Sequence, residues 1–230
     1  MTSRREELEQ HLAAVRRRID LACVQAGRSP ASVTLLPVTK TFPATDVALL
    51  AELGCTDVGE SRDQEARQKR AECTLPVRWH MIGQVQRKKA RQILQWADVV
   101  QSVDRPEVAD SLSAAAVSAD KVLEVLIQVS LASQDQPGRG GVRVDGLEQL
   151  AAHIQQLPAL RLAGIMAVAP LGQDPYVAFG ALAQAQQALL QIAPQALVVS
   201  AGMSGDLEAA IACGATQVRI GGAILGNRPV

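Results

Sequence analysis

Only five of the 23 basic residues are lysines, and one of them, Lys40, closes the apolar run Val33 to Lys40, VTLLPVTK. A lysine at the carboxyl end of a buried strand stands where α/β barrels assemble their sites. Partial loss of water at such a place makes the amine neutral more easily, so that it can condense with an aldehyde to a Schiff base. The plain alternative is a lysine that simply emerges into solvent. The remaining four, Lys69, Lys88, Lys89 and Lys121, fall in polar or helix-surface contexts.

Near the other end of the chain, SAGMSGD (Ser200 to Asp206) reads as a strand that turns through two glycines into a helix. The first-turn N–H groups of that helix are available to an anion, and Ser204 is placed to cap it. RIGGAILG follows, with Arg219 near the end of another strand and then Gly221 and Gly222, which let the backbone approach an anion closely. Loops after the seventh and eighth strands of a barrel are its usual phosphate site. Each feature is common by itself. Together they put a carbonyl-trapping amine, a phosphate cradle and a cation on one rim, which are the needs of pyridoxal 5′-phosphate.

The elements that must position these groups follow a regular rhythm. Apolar residues Leu8, Leu12, Val15, Ile19 and Ala22 recur at helical spacing and predict an extra amphipathic helix from Arg4 to about Ala26. Eight short β-rich runs come next: Val33–Val38, Asp57–Val58 with its neighbours, Val77–Ile82, Asp98–Ser102, Val122–Val129, Arg161–Met166, Leu197–Val199 and Gln217–Ile220. Helix candidates after the first seven begin near Ala44, Arg62, Lys88, Arg105, Val144, Asp174 and Ser204. Strands alternating with helices imply parallel pairing through right-handed crossovers. No G-x-G-x-x-G turn follows the first strand, as a doubly wound nucleotide-binding sheet would require. The expectation is therefore an α/β chain forming a single (β/α)8 TIM barrel over residues 1–230, with Ser130 to Gly141 as a surface loop.

Composition removes several other classes. Lys+Arg 23 balances Asp+Glu 23, and there are five aromatic residues (Phe42, Trp79, Trp96, Tyr176 and Phe179), too few for base-stacking platforms. Nucleic acid is thus not an expected partner, and the basic clusters Arg16-Arg17-Arg18 and Arg87-Lys88-Lys89-Arg91 read as solvated helix faces. No apolar run has the roughly 20 residues of a membrane span and the start lacks a secretory signal, which predicts a cytoplasmic protein without membrane association. Cys23, Cys55, Cys73 and Cys213 are scattered beside only three histidines, which predicts reduced thiols and no metal site.

The chain also resembles the small pyridoxal-phosphate homeostasis proteins, the YggS and PROSC group, which are related to the barrel domain at the N-terminus of alanine racemase. The resemblance is carried by LLPVTKTFP (Leu35 to Pro43), VGESRDQE (Val58 to Glu65), WHMIGQVQRKK (Trp79 to Lys89), LIQVS (Leu126 to Ser130), LAGIMAV (Leu162 to Val168) and SAGMSGDLEAAIACGATQVRIGGAILG (Ser200 to Gly226). It implies that Lys40 carries the cofactor as a Schiff base, that Met203, Ser204, Gly221 and Gly222 lie at the phosphate, and that Arg219 faces the pyridine nitrogen. A guanidinium there keeps that nitrogen unprotonated, because two positive charges in contact are costly, and so weakens the ring as an electron sink.

Three positions depart from the family pattern. Ser61 and Arg62 stand where it usually has Asn-Tyr, so Ser61 or water replaces an asparagine contact near the ring. Lys88 stands for a common asparagine, and Gly222 for a common threonine, which removes a phosphate hydroxyl. Racemases of the superfamily use a tyrosine from a second domain as a second base. Here the single tyrosine, Tyr176, reads as a capping or surface residue, and His80 is the best alternative acid–base group, expected on or just inside the same rim but bonded within the barrel. Glu60 and Glu65 read as surface groups near the mouth. The resemblance therefore implies a monomeric or weakly associating carrier that buffers or delivers the cofactor, meeting apo-enzymes transiently and without turnover; a slow racemase-like enzyme is the alternative.

Overall fold

The computed structural model describes residues 3–132 and 140–227. Most of the expected loop from Ser130 to Gly141 lies outside the described residues. Eight strands, β1 (Thr34–Pro37), β2 (Asp57–Glu60), β3 (Arg78–Met81), β4 (Val99–Val103), β5 (Leu123–Gln128), β6 (Leu160–Met166), β7 (Val198–Ser200) and β8 (Gln217–Ile220), form one parallel sheet in the order β1-β8-β7-β6-β5-β4-β3-β2. The ring closes where Val38, just past β1, bridges to Gly59 of β2 and the Thr39 N–H donates to the Gly59 carbonyl at 3.0 Å. All eight expected strands are present, each within about two residues of its predicted bounds.

Helices α1 (Arg4–Gln25), α2 (Ala44–Glu52), α3 (Asp63–Glu72), α4 (Ala90–Ile93), α5 (Pro106–Ser118), α6 (Leu147–Gln156), α7 (Pro175–Ile192), α8 (Leu207–Ala212) and α9 (Gly222–Leu225) surround the sheet. The local reasons are legible. Ser3 and Glu6 form a capping box that starts α1, and Pro106 and Pro175 occupy first-turn positions where no N–H is needed. One helix starts differently from expectation. The Asp206 carboxylate accepts the Met203 N–H at 2.6 Å, holding residues 204–206 in turns, so α8 begins at Leu207 and Ser204 is not its cap.

The outer shell is aliphatic. α1 buries Leu8, Leu12, Val15 and Ile19 against Leu207 and Ile211 of α8, Val218 and Ile220 of β8, and Ile224 of α9. A larger cluster containing Trp79, Trp96, Leu112, Leu150, Phe179 and Leu189 fills the space between strands and helices around the rest of the ring. Inside the ring the texture changes: the apolar cluster there is small (Leu126, Ala163 and Met166), and buried polar side chains, His80, Gln101, Ser200, Gln217 and Arg219, occupy neighbouring strands. Cys23, Cys55, Cys73 and Cys213 are all unpaired, the first three buried. Among the described residues no helix is long and apolar enough to cross a membrane, and no cluster of potential metal ligands occurs.

Candidate functional site

Parallel pairing puts every strand's carboxyl end on one rim, so the topology brings Lys40, Ser61, Met203, Ser204, Gly221 and Gly222 to neighbouring loops. β1 pairs with β8 in the register Leu36↔Arg219 and Pro37↔Ile220, and Val38 donates to the Ile220 carbonyl at 2.8 Å. Lys40 thus emerges beside the Gly221-Gly222 turn, with the loop after β7 on the far side of β8 and Ser61 of the β2 loop on the other flank.

A tight turn aims Lys40. The Phe42 N–H donates to the Thr39 carbonyl at 3.1 Å, and Thr41 takes φ +70, a left-handed conformation that a β-branched residue adopts only when its surroundings hold it. What holds it is Glu65 of α3, whose Oε2 accepts the Thr41 N–H at 3.0 Å. Burial raises the Glu65 carboxyl, but the Thr41 N–H and the Arg62 side chain outweigh it and leave the group below its ordinary range. Beneath the turn lies a lysine that the sequence reading placed in a surface context. Lys69 is instead 6% exposed, its ammonium 2.8 Å from the Thr39 carbonyl and 2.7 Å from Glu60 Oε1, which also accepts the Thr39 hydroxyl at 2.6 Å. Glu60 is buried too rather than on the surface; burial pushes its carboxyl up, with Lys69 and Thr39 opposing. A shared partner draws these charges inward from separate elements, so no local pattern betrays them. By contrast, the Lys40 side chain is half-buried and forms no hydrogen bond or ion pair among the described residues.

The expected anion cradle falls on two loops. After β7, Gly202 has φ +90, and a Cβ there would stand 2.7 Å from the Ala210 Cβ, so glycine is required for the chain to turn against α8. The N–H groups of Ser204 and Gly205 in this loop, and of Gly222 and Ala223 at the start of α9, find no acceptor within the described residues. Gly222 is exposed, with open space at its Cβ position. Helix α1 braces the first loop: Arg18 donates to the Ser204 carbonyl at 3.1 Å and forms paired hydrogen bonds with Glu208. Arg16 likewise donates to the Leu53 carbonyl, so this basic cluster is partly engaged rather than a solvated face, whereas Arg87, Lys88, Lys89 and Arg91 are exposed.

Arg219 is 4% exposed inside the mouth. Its guanidinium donates to the Ser200 carbonyl (2.6 Å), the Ser200 hydroxyl (2.9 Å) and the Ala167 carbonyl (2.8 Å), and no carboxylate lies within salt-bridge distance among the described residues. Burial lowers its pKa to about 10, with the charge of Asp206 opposing. Met203 projects 40% exposed from the loop after β7. Ser61 is half-buried beside a cavity of about 460 Å³ that also involves Asp63, Gln84 and Lys89.

His80 does not serve this rim. Its Nε2 lies 2.8 Å from Asp57 Oδ1 at the start of β2, so the ring engages the opposite, amino-terminal end of the barrel. Tyr176 lies 56% exposed on α7, its N–H bonded to the capping Asp174. Two residues the sequence reading passed over, Gln101 and Ser200, join His80 and Arg219 in one hydrogen-bonded set. The available signal was a polar residue inside otherwise apolar strands, in VVQSV and LVVSA.

Comparison with known proteins finds relatives along nearly the whole chain. The family model described as alanine racemase, N-terminal domain, matches residues 10–229. The pyridoxal phosphate homeostasis protein of Corynebacterium glutamicum is 44% identical, over 93% of this chain and 98% of that protein. Its counterpart from Mycobacterium tuberculosis is 41% identical, over 98% of this chain and 94% of that one. Among solved structures, PipY of Synechococcus elongatus with PLP bound superposes with a TM-score of 0.82 at 29% identity, covering 95% of this chain and all of that one.

Proposed function

Because the chain belongs to the family of pyridoxal phosphate homeostasis proteins, built on the alanine racemase N-terminal domain, we propose that it binds pyridoxal 5′-phosphate through Lys40 and acts in intracellular handling of that cofactor. The observation that carries this reading is Lys40 itself: an amine with no partner among the described residues, on a turn fixed from below and flanked by backbone N–H groups that find no acceptor among them either. The donor set fits the group. Free amides of Ser204, Gly205, Gly222 and Ala223 suit a phosphate, Met203 and Gly221 shape its surroundings, and Ser61 lies on the ring side. When bound, the cofactor supplies an aldehyde that an amine condenses with, losing water, and an electron-poor ring.

The protein's own residues then decide what that chemistry is used for. Arg219, buried beside the mouth, presents a cation to the ring nitrogen, and a cation there opposes a proton on that nitrogen. Tyr176 lies exposed on α7 and His80 points to the opposite rim, which supports a carrier that buffers or delivers the cofactor, meeting apo-enzymes transiently as a monomer, over an enzyme that uses either residue as a second base. The test is borohydride reduction of the protein loaded with pyridoxal phosphate, then intact mass and peptide mapping. One adduct confined to Lys40 is expected. An adduct spread over Lys88, Lys89 and Lys121, or none, overturns the reading.

A further inference from the structure

The barrel interior holds a chain of hydrogen bonds that runs from Arg219 at the mouth to Asp57 at the opposite end: Arg219 to Ser200 Oγ (2.9 Å), Ser200 Oγ to Gln101 Oε1 (2.7 Å), Gln101 Nε2 to His80 Nδ1 (2.8 Å) and His80 Nε2 to Asp57 Oδ1 (2.8 Å). The two ends dictate its direction. Arg219 only donates, so the Ser200 hydroxyl accepts from it and must give its one proton onward, to Gln101 Oε1. That turns the Gln101 amide nitrogen toward His80 Nδ1, and toward Gln217 Oε1 at 2.6 Å. His80 Nδ1 is thereby an acceptor, its proton sits on Nε2, and Asp57, which as a carboxylate only accepts, receives it. Ser200 and Gln101 are fully buried and His80 is 3% exposed, so water does not substitute for any middle link. The chain joins a buried cation that has no carboxylate within salt-bridge distance among the described residues to a carboxylate near the other rim, and donors aligned this way between opposite charges reinforce one another.

We propose that Gln101 is a positioning residue: through Ser200 it holds the Arg219 guanidinium in the orientation that faces the bound ligand, and through His80 it anchors that hold on Asp57. The inference rests on the reading above, in which Arg219 faces the cofactor ring. Its test separates the two. In the ligand-free full-length protein, ¹⁵N NMR of labelled histidine is expected to show His80 as the neutral Nε2–H tautomer; a proton on Nδ1 overturns the chain whatever the protein binds.

In the loaded protein, Gln101→Met removes both links at similar size, whereas Gln101→Glu keeps the oxygen that accepts from Ser200. Met is expected to weaken pyridoxal phosphate binding about tenfold and to shift the absorption band of the bound cofactor, with Glu recovering most of both. A residue that only filled the core would give the reverse order, because the apolar substitute is then the better tolerated. Met equal to or better than Glu therefore overturns the proposal. Ser200→Ala, which deletes one oxygen from a small side chain, gives a second measure should either Gln101 variant fail to fold; a loss of about threefold is expected, and an unchanged affinity and spectrum overturns the positioning role. If the wild type carries no adduct on Lys40, the functional reading fails while the His80 tautomer still decides the chain.

Discussion

The two ends of the barrel are built on opposite principles. At the amino-terminal end polar groups are matched: Asp57 accepts a hydrogen bond from His80 at 2.8 Å and lies 3.7 Å from Arg78, Arg78 meets Glu124 at 3.3 Å, and Arg161 also pairs with Glu124. Among the described residues at the carboxyl-terminal end, Lys40 has no partner, four amides in two loops lack acceptors, and the buried Arg219 is held by carbonyls and a hydroxyl rather than by a carboxylate, while Lys69 beneath the Lys40 turn is paired with Glu60. Unmet hydrogen-bonding capacity costs stability unless something else satisfies it. Its concentration at one end teaches where this molecule expects a ligand, and the pairing at the other teaches what keeps the ring closed meanwhile.

The largest expected effect breaks the functional end alone. Lys40→Ala should abolish the borohydride-trapped adduct, with the melting temperature moved by no more than about 2 °C, because the side chain holds nothing in place. A residual adduct elsewhere on the rim would dissolve the contrast. Lys69→Met addresses the hidden part of the same end. It leaves the Glu60 carboxylate buried with the Thr39 hydroxyl as its remaining partner, and urea unfolding should show a loss of about 3–5 kcal/mol. A loss under about 1 kcal/mol would mean that the Lys40 turn does not depend on this pair.

The paired end should reveal itself by pH. Burial raises the Asp57 carboxyl, but hydrogen bonds from His80 and Thr56 and the charge of Arg78 more than offset it, so the group titrates lower in the folded protein than in the unfolded chain. Its contribution is then complete above the unfolded value and is lost as pH falls through the folded one. Unfolding measured from pH 6 to pH 3 should show a shallower acid limb in Asp57→Asn than in the wild type; parallel limbs would remove Asp57 from the account. The smallest effect sharpens the cradle. Gly222 has open space where a side chain would go, so Gly222→Thr should fit and tighten pyridoxal phosphate binding by about threefold in a titration, through one added hydroxyl. Weaker binding would place the phosphate away from α9.

Much of the frame was readable in advance because it depends on neighbours in sequence. Short apolar runs alternating with helical periodicity predicted all eight strands, and the spacing of Leu8, Leu12, Val15, Ile19 and Ala22 and the Asp174 start marked helices by chemistry internal to a few residues. Lys40 and the Gly221-Gly222 turn were legible for the same reason: each sits directly after a recognisable strand. Lys69 misled because a lysine on α3 looks solvated until Glu60 of β2 and the Thr39 carbonyl are brought against it. His80 misled by direction. Its place in β3 was correct, but a strand residue's reach up or down the barrel is set by partners on other strands, here Asp57 and Gln101. Ser204 failed as a cap because the Asp206 carboxylate accepts the Met203 N–H and residues 204–206 turn before the helix opens at Leu207, a local choice that composition does not rank.

By itself, then, the sequence determined the eight strands and their alternation with helices, the rim on which Lys40 and the glycine turns emerge, and the family resemblance, since periodicity, turn chemistry and strand polarity are local properties of a chain; the short α9 was not among the helices it marked. The tertiary structure decided which polar groups are satisfied and which are left open: Lys69 with Glu60, His80 with Asp57, Arg219 with Ser200, and Lys40 with none among the described residues. Those outcomes arise from pairs separated by many residues, and burial determines how much each is worth, so they exist only once the ring has closed.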